Sequence, residues 1–151
     1  MKSHVFIGIY LLIALLVFSA LPVWAYFSGM QDALLRAIIY VGASGGIGGT
    51  IYSIRAFYQN IGGQTFKVNW IWWYIFRPVI SVVAGVFGYF LIVGGLMSIS
   101  NTPDVTFSKG LMFYSTVAFL AGYSFTRFME RVESIADNIF SKKENKKDTT
   151  P

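Results

Sequence analysis

Seven carboxylates, one histidine and no cysteine are the carboxylate, imidazole and thiol groups this 151-residue chain carries. Without cysteine there is no disulfide framework, thiolate nucleophile or cysteine-bound metal. Asp32 and Asp104 stand alone, the other five acids lie at or beyond Glu130, and the single histidine is His4. No paired carboxylates, no Ser/His/Asp set in mutual reach and no phosphate loop after a strand can be assembled from them. The expectation is a non-enzymatic protein with no cofactor and no metal site. No acid falls in the middle third of any apolar block, where a proton-coupled carrier needs its relay. What remains is hydroxyl chemistry: Tyr40, Ser44, Thr50, Ser53, Ser115 and Thr116 offer oxygen atoms that a pore would use.

The elements that must position these groups are apolar. The chain is 55% hydrophobic and 13% charged, with a mean hydropathy of +0.58, whereas soluble domains carry about 25% charged residues. A hydrocarbon core of about 30 Å is crossed by about 20 apolar residues. Four blocks satisfy this, at about Val5–Phe27, Ala33–Tyr58, Pro78–Met97 and Gly110–Phe128. The predicted fold is all-α, a tightly packed bundle of four transmembrane helices forming one domain over residues 1–140. A basic tail, residues 141–151, is expected to be disordered.

Lys2, Arg55, Lys67, Arg127, Arg131, Lys142, Lys143, Lys146 and Lys147 fall on one side of these spans, with Arg36, Lys109, Asp32 and Asp104 opposite. The positive-inside rule then assigns both termini to the cytoplasm of a bacterial inner membrane. The bilayer itself accounts for the net charge of +5, and no nucleic-acid partner is implied. Val23-Trp24-Ala25 offers an alternative for the first span, a secretory signal cleaved before Tyr26. The length of the apolar run and the anchor character of Pro22 and Trp24 favour a retained helix.

The second block carries Gly42, Ser44, Gly45, Gly46, Gly48 and Gly49 within eight residues. In lipid, helices associate through close backbone approach, which small residues permit. Ser81, Gly85 and Gly88 in the third block, with Ala118 and Gly122 in the fourth, continue the device. The second helix is therefore expected at the centre of the bundle or at a subunit interface, and the assembly is expected to be a homo-oligomer.

Two stretches face the cytoplasmic side. Trp70, Trp72, Trp73 and Tyr74 suit a headgroup belt, and proline suits a first helical turn. The expectation is a short interfacial segment over residues 70–76, with Arg77 at phosphate level and the span starting at Pro78. Beyond Gly122-Tyr123-Ser124 the fourth helix is expected to leave the membrane as an amphipathic helix. Its apolar stripe, Phe128, Val132, Ile135 and Ile139, is expected to dock on the headgroup layer, the Trp-rich segment or a cytoplasmic protein partner.

Several elements together resemble a loose group of uncharacterised bacterial four-helix inner-membrane proteins. They are Gly42–Gly49 followed by Ser53-Ile54-Arg55-Ala56-Phe57, Gly62-Gly63, Trp70, Trp73-Tyr74, Arg77-Pro78, Gly94-Gly95-Leu96 and Ala121-Gly122-Tyr123-Ser124 leading to Ile139-Phe140. The resemblance covers residues 38–140 and brings no activity with it; Ser81 stands where the group implies glycine. In size and layout the chain also resembles the membrane components of bacterial phage-defence systems. The functional expectation is an oligomeric scaffold, anchor or sensor subunit for a cytoplasmic partner. The alternative is a small oligomeric ion channel.

Overall fold

The computed structural model describes residues 2–63, 70–97 and 107–141, and they form five helices. These are α1 (Lys2–Phe27), α2 (Ala33–Gly62), α3 (Ile71–Val93), α4 (Phe107–Tyr123) and α5 (Phe125–Ser141). The tail from Lys142 onward, Lys67 and Asp104 lie outside the described residues, so the tail expectation is untested. Three helices, His4–Phe27, Ala33–Gly62 and Ile71–Val93, are long and apolar enough to cross a membrane. The apolar part of α4, Gly110–Tyr123, is shorter.

Local chemistry sets the helix ends. Asp32 caps α2, its Oδ1 accepting from the N–H groups of Leu34 at 2.9 Å and Leu35 at 3.2 Å. Gly29 and Gly95 take the left-handed backbone, at φ 63° and 72°, that turns the chain after α1 and α3. The Leu91 carbonyl then accepts from the Leu96 and Met97 N–H groups, closing the end of α3.

α2 is the central element, flanked by α1, α3 and α4. Its glycines are occupied on several faces. A methyl group on Gly45 would lie 2.5 Å from the Ser81 carbonyl oxygen and 3.1 Å from Gly85 Cα. On Gly48 it would overlap the Phe119 carbonyl, and on Gly49 the Ser81 side chain. Gly46 faces the Phe18 ring, and Gly42 faces Val82 and Val86. On the opposing helices, Gly122 meets the Gly45 backbone and Gly85 meets Ala118. Ser81 fits where glycine was implied because Gly49 has no side chain, and its hydroxyl approaches the Gly122 carbonyl at 3.4 Å. Of the expected packing residues, Ser44 is not in these seams, since it lines a cavity. Gly88 is met by the Phe128 ring of α5.

Outside these seams the surface is greasy. Phe6, Leu12, Leu16, Val83 and Phe87 are all exposed. A soluble protein rarely shows apolar faces of this extent, and on helices of this length they mark association with a membrane.

Three boundaries differ from expectation. α2 runs on past Tyr58 to Gly62, making it about 45 Å long at 1.5 Å per residue. The Trp-rich stretch is no separate surface segment, because α3 is continuous from Ile71 to Val93 with Pro78 inside it. A proline ring opens the preceding turn by crowding a carbonyl four residues back. That carbonyl is Tyr74's; one residue on, the Tyr10 hydroxyl of α1 donates to the Ile75 carbonyl at 3.0 Å and ties α1 to this turn.

The third difference is that α4 does not continue as one helix. It stops at Tyr123, and α5 begins after Ser124. Tyr114 packs on Tyr89, Ala118 faces Gly85 and Gly122 faces Ser81, each step along α4 matched by an equal step back along α3. A straight continuation would bring Phe128 beside Ile75. Instead its ring lies against Gly88, so α5 folds back across α3.

Candidate functional site

Along α3 the buried positions are Tyr74, Arg77, Pro78, Ser81, Ala84, Gly85, Gly88, Leu91 and Ile92. This is one helical stripe, and it runs through the Trp-rich stretch without interruption. It divides the five expected interface anchors. Trp70 and Trp72 are exposed, the latter stacked on Phe76 with centroids 5.9 Å apart. Trp73 is half-buried. Tyr74 is fully buried against Ile7 and Leu11, its ring edge-on to Phe57 and its hydroxyl accepting from Asn60 Nδ2 at 2.8 Å. Tyr74 is therefore a core residue, because its position on α3 turns it inward.

Arg77, expected as an anchor at phosphate level, is only 9% exposed. Its guanidinium sits over three rings, 4.8 Å from the Tyr52 centroid, 4.9 Å from Phe125 and 5.6 Å from Trp73. Those rings come from α2, α5 and α3, so this one cation ties three helices together. Its Nε is buried without a hydrogen-bond partner. Each ring face over a desolvated cation contributes roughly 1–2 kcal/mol, so three together are comparable to the several kcal/mol lost in drying an ion.

Beside Arg77, the break at Ser124 opens a cavity of about 170 Å³ lined by Tyr52, Arg77, Tyr123, Ser124, Phe125, Thr126 and Arg127. Arg55 Nη1 donates to the Tyr123 hydroxyl at 2.8 Å. A second cleft of about 270 Å³ shares Arg77 and Phe125 but is otherwise lined by Trp72, Trp73, Phe76 and Ile80. Sequence reasoning missed Tyr52, Trp73 and Phe125 as the rings around Arg77, and Tyr123 as the acceptor for Arg55. The spacing Tyr74–Arg77–Ser81–Gly85–Gly88 was the signal that turned Arg77 inward.

At the other end of the bundle a cavity of about 550 Å³ is lined by Arg36, Tyr40, Ser44, Ser115 and Thr116, with Pro22, Tyr26, Leu111 and Met112. Four of the six candidate pore hydroxyls thus meet. Thr50 and Ser53 do not join them. Both are fully buried and donate to their own helix, Thr50 to Gly46 at 2.7 Å and Ser53 to Gly49 at 3.0 Å. Between the two sets, Gly45 and Gly48 press directly on α4 backbone.

On α5 the expected docking stripe is split. Phe128 packs on Gly88, Val132 and Ile135 are half-buried, and Ile139 is exposed. Arg127, Glu130, Arg131, Glu133 and Asp137 are exposed around it. Among the described residues no group of three or more histidines or carboxylates is placed to hold a metal ion. Comparison with family models, curated proteins and solved structures gives no match, so the resemblance to the inner-membrane group rests on its motifs alone.

Proposed function

We propose that the chain is a non-enzymatic, multi-pass inner-membrane subunit that anchors or senses for a cytoplasmic protein through α5. In this reading α4 is the fourth crossing: it packs antiparallel to α3 and ends level with Tyr52 and Arg55 of α2. The observation that carries the reading is α5 itself. It is hinged at Ser124 and strongly amphipathic, with Phe128 against Gly88 of α3 and its charged residues exposed. The anchoring role requires α5 beyond that contact to leave α3 for the cytoplasmic face. The bundle beneath it supports a scaffold rather than a moving machine, because its centre is backbone against backbone.

The test is chemical cross-linking in intact cells followed by purification of the wild type and of the Val132→Asp/Ile135→Asp double variant. A cytoplasmic protein joined to the wild type and absent from an equally abundant variant is expected. If every cross-linked cytoplasmic protein survives the double substitution, the anchoring role is wrong. A phage-defence role is one setting for such a subunit and rests on layout alone.

A second reading, the small channel, is favoured by the 550 Å³ cavity, on whose largely apolar wall Tyr40, Ser44, Ser115 and Thr116 gather with Arg36. Within one chain, the Gly45–Gly122 contact interrupts any path from that cavity to Thr50. A conduction route would therefore run between copies. A homo-oligomer would have to use the apolar outer faces of α1 or α3, since the glycine seams are filled from within. Flux of common ions into liposomes at or below that of empty vesicles removes the channel.

A further inference from the structure

The cavity at the α4–α5 break has a lining of unusual composition. Arg77 and Arg127 bring two cations, and Tyr52, Tyr123, Ser124 and Thr126 bring four hydroxyl groups. No carboxylate lines it. The Tyr123 oxygen already accepts from Arg55, which leaves its own proton to be donated elsewhere. Arg77, nine-tenths buried with its Nε unpartnered, lines the cavity. A ring surround stabilises a cation but accepts no conventional hydrogen bond from it; Nε is itself closed off, so a ligand in the cavity would be met by the terminal nitrogens of Arg77.

We propose that this pocket binds a phosphate group. Guanidinium groups and hydroxyls converging on one space are the donor set that a tetrahedral oxyanion takes. The volume of about 170 Å³ holds several waters and so has room for one phosphate group. The adjoining apolar cleft, which shares Arg77 and Phe125 and is walled by Trp72, Trp73, Phe76 and Ile80, would take an acyl chain. That arrangement points to the phosphate of an anionic lipid headgroup, with soluble phosphate as the other source of the same chemistry. The site does not rest on α5 having a protein partner, and each can fail without the other.

The experiment uses the full chain, delipidated in a phosphate-free detergent buffer. Inorganic phosphate is titrated against chloride at matched ionic strength, with the melting temperature as readout. Separately, phosphatidylglycerol and phosphatidylcholine are added and retained lipid is counted by native mass spectrometry. Retention of phosphatidylglycerol by the wild type, at least tenfold weaker in Arg77→Met and several-fold weaker in Arg127→Gln, is the expected result and identifies the lipid source. A melting shift with inorganic phosphate alone, lost in the same variants, also supports the site and identifies the soluble source. Arg127 is exposed, so its variant tests the site even if substitution at Arg77 disturbs folding. Equal responses of the wild type and Arg127→Gln to both probes, with Arg77→Met alike wherever it folds, overturn the proposal.

Discussion

Replacing Gly122 by alanine adds one methyl group at the tightest contact between α2 and α4. That methyl would overlap the Gly45 carbonyl oxygen and lie 2.9 Å from its carbonyl carbon and 3.1 Å from its Cα. Ordinary carbon contacts sit at about 3.5–4.0 Å, and the obstacle is backbone, which no rotamer change removes. α4 must therefore retreat by roughly 0.5–1 Å, a gap that forfeits a quarter to a half of each dispersion contact along the seam. Overpacking of this kind costs about 1–3 kcal/mol, and the upper part of that range applies. The helix gains up to about 1 kcal/mol when alanine replaces glycine, leaving a net loss of about 2 kcal/mol. Gly8→Ala is the internal control, because its methyl would meet only the Phe57 ring at 3.5 Å. It is expected to be neutral or about 1 kcal/mol more stable. Unfolding in mixed micelles, followed by circular dichroism and tryptophan fluorescence, measures both. A Gly122→Ala protein as stable as the wild type, or one that tracks Gly8→Ala, would falsify the close-packing argument.

Two further expectations separate residues that look alike in sequence. Tyr74→Ala empties a fully buried site against Ile7 and Leu11 and should cost about 3–5 kcal/mol, whereas Trp72→Ala, on the exposed face, should cost well under half as much in the same unfolding assay. Arg77→Met exchanges an unpaired buried cation for an apolar chain of similar length, and such exchanges are neutral or stabilising by about 1–4 kcal/mol. Its melting temperature in phosphate-free detergent is therefore expected at or above the wild type, and a fall of many degrees would mean that the ring contacts outweigh the desolvation.

The order of the apolar helices and the approximate limits of α1 and α2 were legible because apolar block length and glycine turns act locally. Asp32 announced the start of α2, and Gly94-Gly95 the end of α3. The glycine cluster announced a central helix, although the sequence left open whether the faces of α2 were filled by the same chain or by another. Gly48 against Phe119 and Gly45 against Gly85 answer that, and they are contacts between distant parts of the chain. Pro78 misled the reading of α3, because a proline suits a helix start in isolation, whereas here it lies inside a continuous helix whose adjacent turn is held to α1 by the Tyr10–Ile75 hydrogen bond. Treating residues 70–76 as a separate surface segment hid the stripe that carries Tyr74 and Arg77 inward. The fold-back of α5 had no periodic signal, since Phe128 keeps helical spacing with Val132 whichever way the helix points after Ser124.

The anchoring account depends on α4 being a crossing, so that α5 and the N-terminus share the cytoplasmic face. Because the chain has no cysteine, single cysteines placed at Gln31 and at Glu133, both exposed, report sidedness directly. With a membrane-impermeant maleimide on intact cells with a permeable outer envelope, Gln31→Cys should label at once and Glu133→Cys only after the inner membrane is opened. Labelling of Glu133→Cys in intact cells would put α5 on the outside and contradict the account.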